Sequence, residues 1–307
     1  MRQWGAMDPA ELRSKLEGVI SFPVTNFKAD YSLDIDGYRT NVAEMTKFPL
    51  CAIVAAGGTG EMYSLTPDEH KQIVEATVAE AGGKSAVIAG VGFGGGLSVE
   101  LAKQSVAAGA DGILMFPPYY PNADFEGLLQ YYKAIGEAVD VGLFIYSRDW
   151  VNLTAPQVSR LCDEIPNLIA FKEGQGDLRN YQRIMARCGD RLHWIGGIGD
   201  DMVPGYYAIG VRTYTSSIAT IAPRLSMQLH ERASMLDNAS LARLMTKYVL
   251  PLYALRARRK GYEVSVMKKA MEILGKPAGP VRPPLPKVRP EEVKEIEHLL
   301  ERYEPVL

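Results

Sequence analysis

The sequence predicts an α/β fold, a (β/α)8 TIM barrel followed by a C-terminal helical extension. Three observations predict it. Eight short apolar runs alternate with amphipathic stretches from residue 18 to about residue 236. Each run is near-continuously hydrophobic rather than alternating, the pattern of parallel strands covered on both faces. Polar and reactive side chains recur where those runs end, which is where such a barrel gathers its active site.

The strand candidates are, in order, residues 19–23, 51–55, 86–91, 112–116, 141–146, 168–172, 192–196 and 211–215. A doubly wound sheet needs fewer strands and a glycine-rich first turn, and Ser21-Phe22-Pro23-Val24-Thr25 is no such turn. Helix starts between the strands are legible. Thr66-Pro67-Asp68-Glu69 combines a Thr N-cap, proline at the first helical position and a Glu for a capping box. Thr154-Ala155-Pro156 opens the helix after the fifth strand in a similar way. Gly109 and Gly136 stand where helices should end, as C-terminal glycine caps. Three further helical patterns follow the eighth unit, at 240–260, 262–274 and 290–303, with an extended Pro-rich connector at 275–289. The expected organisation is a lead-in over 1–15, the barrel over 16–236 and a helical extension over 237–307 packed on the barrel.

Composition narrows the function classes. The chain has 307 residues, 47% hydrophobic and 23% charged, with a net charge of −2. This is an ordinary globular balance, without the basic surface of a nucleic-acid binder. No apolar stretch reaches the roughly 18–20 residues that span a bilayer. The first six residues, Met1-Arg2-Gln3-Trp4-Gly5-Ala6, lack a signal-peptide core, and Met7 is a second candidate start that would make them an upstream extension. Cys51, Cys162 and Cys188 are odd in number and unclustered, which fits a reducing, cytoplasmic setting. The four histidines show no HxH or HExxH pattern, so no metal is expected.

The chemistry starts from Lys172, which ends the sixth run, and Tyr146, which ends the fifth. A lysine at the mouth of a hydrophobic barrel loses its proton more readily, because desolvation disfavours the ammonium form. The free amine attacks a carbonyl, so this lysine with a phenol for proton transfer reads as a Schiff-base site; the alternative is a surface lysine capping a strand. After the second run, Ala55-Ala56-Gly57-Gly58-Thr59-Gly60-Glu61 offers backbone N–H groups at Gly58 and Thr59 and the Thr59 hydroxyl, a set suited to a carboxylate or simply to a tight turn. Arg148, in Tyr146-Ser147-Arg148-Asp149, either grips a second carboxylate or pairs with Asp149. Gly197, in Gly196-Gly197-Ile198-Gly199-Asp200-Asp201, leaves space for substrate unless the aspartates only cap the next helix. Ser216, in Thr213-Tyr214-Thr215-Ser216-Ser217, belongs to a hydroxyl-rich turn able to bind carboxylate or polyol oxygens. Tyr119 and Tyr120 are either a proton relay or a packing surface for a neighbouring subunit.

Gly57-Gly58-Thr59-Gly60-Glu61, the strand-end Tyr146 and Phe171-Lys172-Glu173-Gly174 together are similar to the dihydrodipicolinate synthase / N-acetylneuraminate lyase (DapA) superfamily, Schiff-base barrel lyases acting on 2-keto acids. The resemblance runs from about Glu17 to Tyr303. Within the superfamily the chain most resembles the 5-dehydro-4-deoxyglucarate dehydratases, on Ser21–Thr25, Ala55–Glu61, Tyr146–Asp149, Lys260-Gly261-Tyr262 and Gly279-Pro280-Val281-Arg282-Pro283-Pro284-Leu285. It departs from the common pattern at Ser147, where Asn is usual, and at Gly58, where many relatives place a second Thr. The resemblance implies a keto-dicarboxylate substrate, held by Thr59 and the N–H groups of Gly58 and Thr59. Lys172 forms the imine, Tyr146 moves protons, and Arg148, Ser147 and Ser216 are candidates for the distal carboxylate and hydroxyls. The implied reaction is a dehydration with loss of CO2 that needs no cofactor beyond the covalent imine. A cytoplasmic homotetramer, a dimer of dimers without nucleic-acid or membrane partners, is the implied assembly. Two other readings stand beside it: an aldolase that cleaves a 2-keto-3-deoxy sugar acid through the same lysine, and a catalytically silent ligand-binding relative.

Overall fold

The computed structural model describes residues 7–307, so residues 1–6 and the question of the start at Met7 lie outside the described residues. Eight strands form a closed, all-parallel barrel in sequence order: β1 (Gly18–Ser21), β2 (Ala52–Ala55), β3 (Ala86–Phe93), β4 (Gly112–Pro118), β5 (Gly142–Ser147), β6 (Leu168–Glu173), β7 (His193–Gly196) and β8 (Thr213–Ser216). β8 closes on β1 with Ser216 opposite Ser21. Every expected strand is present, shifted by one or two residues at its ends. Apart from the two leading residues of β7 and the last of β3, every strand residue is buried, as the unbroken apolar runs require.

A short helix, α1 (Pro9–Ser14), precedes the barrel and closes its N-terminal end. Leu12 is fully buried there, and a Cβ on Gly112 or Gly142, the first residues of β4 and β5, would meet its Cδ2 at 2.8 and 3.2 Å. The crossover helices are α2 (Ile35–Met45), α3 (Pro67–Ala81), α4 (Gly95–Ala107), α5 (Phe125–Gly136), α6 (Ala155–Glu164), α7 (Leu178–Cys188), α8 (Val203–Ala208) and α9 (Pro223–Ser234). The expected capping box of Thr66 with Glu69 forms, and at the start of α6 the Thr154 N–H donates to Gln157. Gly109 has φ +98°, as a glycine cap does, but Gly136 is the last residue of α5 and has no positive φ. Its lack of a side chain serves packing instead, since a Cβ would sit 3.0 Å from Ile165.

The C-terminal segment is one long helix, two shorter ones and a strap between them. α10 (Asn238–Leu244) runs through a π turn (Met245–Val249) into α11 (Leu250–Arg256), followed by α12 (Tyr262–Ile273) and, beyond a Pro-rich strap, α13 (Pro290–Glu301). The long helix thus ends at Arg256, four residues before the sequence pattern suggested. No helix among the described residues is long and apolar enough to cross a membrane.

Candidate active site

Lys172 lies on β6 directly beside Tyr146 on β5, its partner in the strand register. Beneath it the barrel interior is lined by Val54, Ile88, Leu114, Phe144 and Ile195. Its side chain is 4% exposed, and its Nζ rests 3.6 Å from the centre of the Tyr146 ring and 4.2 Å from that of Phe22. No carboxylate lies within 4 Å of it among the described residues. Burial therefore holds its pKa well below the ordinary lysine value, and the positive charge of Arg148 pushes the same way. A buried cation without a counter-ion gives up its proton more readily, which favours the free amine, the form that attacks a carbonyl.

Tyr146 is buried, packs edge-on against Phe116 with ring centres 5.5 Å apart, and donates its hydroxyl proton to the Gly197 carbonyl at 3.2 Å. Burial raises its pKa, partly offset by Arg148. Burial thus favours the protonated phenol, and its hydroxyl is engaged by a backbone acceptor. Gly197 serves Lys172 as well, since a Cβ there would fall 2.5 Å from the lysine Cγ and 2.3 Å from the Glu173 carbonyl.

Above the lysine opens a cavity of about 200 Å³. Gly58 and Thr59 line it, and their backbone N–H groups and the Thr59 hydroxyl have no partner among the described residues. Arg148 lines it too, and the pair with Asp149 forms: Nε bonds Asp149 at 2.7 Å, while the guanidinium lies 5.2 Å from the Tyr146 ring centre. Ser147 does not reach the cavity. Its hydroxyl donates to the Val151 carbonyl at 2.9 Å and accepts from the Leu153 N–H at 3.4 Å, pinning the loop after β5. Ser216 is at the wall, but its hydroxyl is committed to Asp200 Oδ1 at 2.5 Å, to Ser226 and to the Ala219 N–H. Both hydroxyls are thus engaged within the protein, Ser147 away from the cavity and Ser216 at its wall. Tyr119 and Tyr120 stand outside the cavity, 76% and 62% exposed, so neither is a relay within one chain.

Asp200 does not cap its own helix. It is fully buried and accepts from Ser216, from Tyr253 Oη at 2.9 Å and from the N–H groups of Ser217 and Ile218, joining the loops after β7 and β8 to α11. Burial raises its pKa. Sequence reasoning missed the wall that α11 and α12 supply: Tyr253, Arg256 and Glu263. Arg256 stacks on Tyr253 at 4.3 Å and donates to Ser217 Oγ at 2.9 Å. It has no carboxylate within 4 Å among the described residues, and its Nε is buried without a hydrogen-bond partner. The signal was only an i, i+3 pair on a helix, and nothing local says which face of that helix turns to the barrel.

The arrangement can condense an amine with a ketone at its floor and receive two anions, one at the Gly58–Thr59 turn and one at Arg256. The model of the dihydrodipicolinate synthetase family matches residues 15–303. A probable 5-dehydro-4-deoxyglucarate dehydratase of Rhizobium rhizogenes is 40% identical over 298 residues, 96% of this chain and 98% of the relative. One of Saccharopolyspora erythraea is 41% identical over 280 residues, 90% of this chain and 91% of the relative. The crystal structure of dihydrodipicolinate synthase from Oceanobacillus iheyensis superposes with a TM-score of 0.90 at 27% identity, covering 97% of this chain and all of that one. The chain belongs to the dihydrodipicolinate synthetase family.

Proposed function

We propose that this chain converts 5-dehydro-4-deoxy-D-glucarate to 2,5-dioxopentanoate, CO2 and water through an imine on Lys172. The observation that carries the reading is a desolvated amine without a counter-ion at the floor of a cavity whose far wall presents an unpaired arginine. The names of relatives about 40% identical over nearly their full length support the same substrate.

The carboxylate beside the ketone binds the N–H groups of Gly58 and Thr59 and the Thr59 hydroxyl. Lys172 Nζ adds to the ketone carbon and water leaves, giving a protonated imine. Loss of a proton from the adjacent methylene forms an enamine, whose electrons expel the β-hydroxyl as water. The conjugated iminium then takes up the electron pair released when the distal carboxylate departs as CO2. Tautomerisation and hydrolysis free the product and restore the amine. Tyr146, a protonated phenol beside Nζ, transfers protons during imine formation. The lysine itself is the electron sink, so the sequence of steps calls on no cofactor.

Arg256 is the group for the distal carboxylate, in place of Ser147 and Ser216. That carboxylate loses its charge on leaving, so holding it selects the substrate without accelerating its departure. The reading also carries a cytoplasmic homotetramer, supported by the exposed aromatic surface of Tyr119, Tyr120 and Trp150. Incubation with 5-dehydro-4-deoxyglucarate should release one CO2 per substrate consumed. Pyruvate without CO2 would establish the aldolase instead. Borohydride reduction in the presence of pyruvate should fix mass on Lys172, and no adduct would establish a silent relative.

A further inference from the structure

Two motifs play no part in the reaction as derived: Lys260-Gly261-Tyr262 and Gly279–Leu285. The second, with α12, converges on Glu61, the last residue of the turn that carries Gly58 and Thr59. Glu61 is fully buried and left-handed, with φ +54° and ψ 38°, a conformation that side chains other than glycine's disfavour. Such a residue persists only where its surroundings over-determine it. Its N–H donates to the Gly58 carbonyl at 3.1 Å and closes the turn. One oxygen of its carboxylate forms an ion pair with Lys268 Nζ of α12 at 2.6 Å, and the other accepts the N–H of Arg282 at 2.9 Å.

The surroundings are equally committed. Lys268 is 2% exposed, also donates to the Pro280 carbonyl at 2.8 Å, and lies 4.4 Å from the Phe27 ring centre. Burial pushes its pKa down to about 8, and the neighbouring Glu61 pulls the other way. The Arg282 guanidinium forks onto Glu69 at 2.6 and 2.8 Å and donates to the Ser64 carbonyl at 2.7 Å. Thr25 Oγ1 holds the Gly60 carbonyl at 2.6 Å. The strap reaches this position only because Gly279, at φ +72°, has no Cβ, which would lie 1.7 Å from the Phe27 carbonyl oxygen. Neither Glu61 nor Lys268 lines the cavity.

We propose that Lys268 is a positioning residue: its buried ion pair with Glu61 keeps the Gly57–Glu61 turn in the shape that presents the Gly58 and Thr59 donors to the carboxylate beside the ketone. This rests on the reading that the turn binds that carboxylate. Because the pair touches neither Lys172 nor Tyr146, it governs binding and leaves the chemical step alone.

The test uses the full chain with Lys268→Met, Lys268→Arg, and the double variant Lys268→Met/Glu61→Gln, which leaves no lone buried charge if the single variant fails to fold. Two readouts apply: KM and kcat for 5-dehydro-4-deoxyglucarate, and the pyruvate concentration that half-saturates borohydride trapping on Lys172. In Lys268→Met, or in the double variant, KM and the pyruvate half-saturation should both rise roughly tenfold or more, with kcat within about threefold of wild type. Lys268→Arg should recover most of the loss. Unchanged half-saturation in a folded variant, with normal trapping in the wild type, overturns this proposal alone. No wild-type adduct overturns the Schiff-base reading and this inference with it.

Discussion

The floor and the far wall of the cavity are built by opposite means. At the floor, the β5–β6 register sets Lys172 beside Tyr146, and an apolar interior strips the amine of solvent and counter-ion. At the wall, Arg256 faces the cavity from a helix that joins the barrel from outside the eight-fold repeat. On the proposed reading, reactivity comes from burying a cation alone, and selectivity from leaving one without a carboxylate partner at the surface of the cavity. Lys268 sharpens the contrast. It is as buried as Lys172, but Glu61 stands 2.6 Å away, and the same side chain is held in an ion pair instead of being left alone.

The largest expected effect lies at the floor. Lys172→Met should abolish the borohydride adduct and lower turnover by roughly 10⁴-fold or more. It should also stabilise the protein. Below the ordinary lysine value of 10.5 the unfolded chain binds a proton at this residue that the folded chain refuses, so folding is penalised at neutral pH. The penalty fades as pH rises toward 10.5. Thermal melts should therefore show the variant above wild type by roughly 2–4 °C near pH 7, with the gap closing at higher pH. A variant that melts lower would break the claim that the floor is a strained site.

The wall comes next. Arg256→Met should raise KM for the dicarboxylate roughly 10- to 100-fold, the worth of one charged hydrogen-bonded contact, with kcat within about threefold. Pyruvate, which has no distal carboxylate, should trap on Lys172 as in the wild type. Equal losses for both compounds would mean that the two ends are not separable. The smallest effect belongs to the loop behind them. Ser147→Ala should leave kcat/KM within about twofold while costing about 1 kcal/mol of stability in denaturant titration, because its hydroxyl fastens Val151 and Leu153 and not substrate.

The reactive end was legible because strands carry their own coordinates. An apolar run that ends on a lysine, or on a tyrosine, places that residue at the barrel mouth whatever the helices do. The Ser147 and Ser216 hydroxyls show where that legibility stops. Strand-end position is readable from sequence, but whether a hydroxyl points at substrate or at Asp200 depends on a loop contributed from elsewhere. Gly136 shows the same limit on a smaller scale, since a glycine needed for φ and one needed for space look identical in a sequence.

By itself, then, the sequence determined the barrel, the order of its strands and the place of Lys172 and Tyr146, because hydrophobic periodicity and capping act over a few residues. Only the tertiary structure decided which charges end up paired. Arg256 is free for an anion, Lys268 is bound to Glu61, and Asp200 fastens three segments, because each partner lies 16 to 207 residues away along the chain. The electrostatics of a buried group depend on what is within a few ångströms of it, and that neighbourhood exists only once the chain has closed on itself.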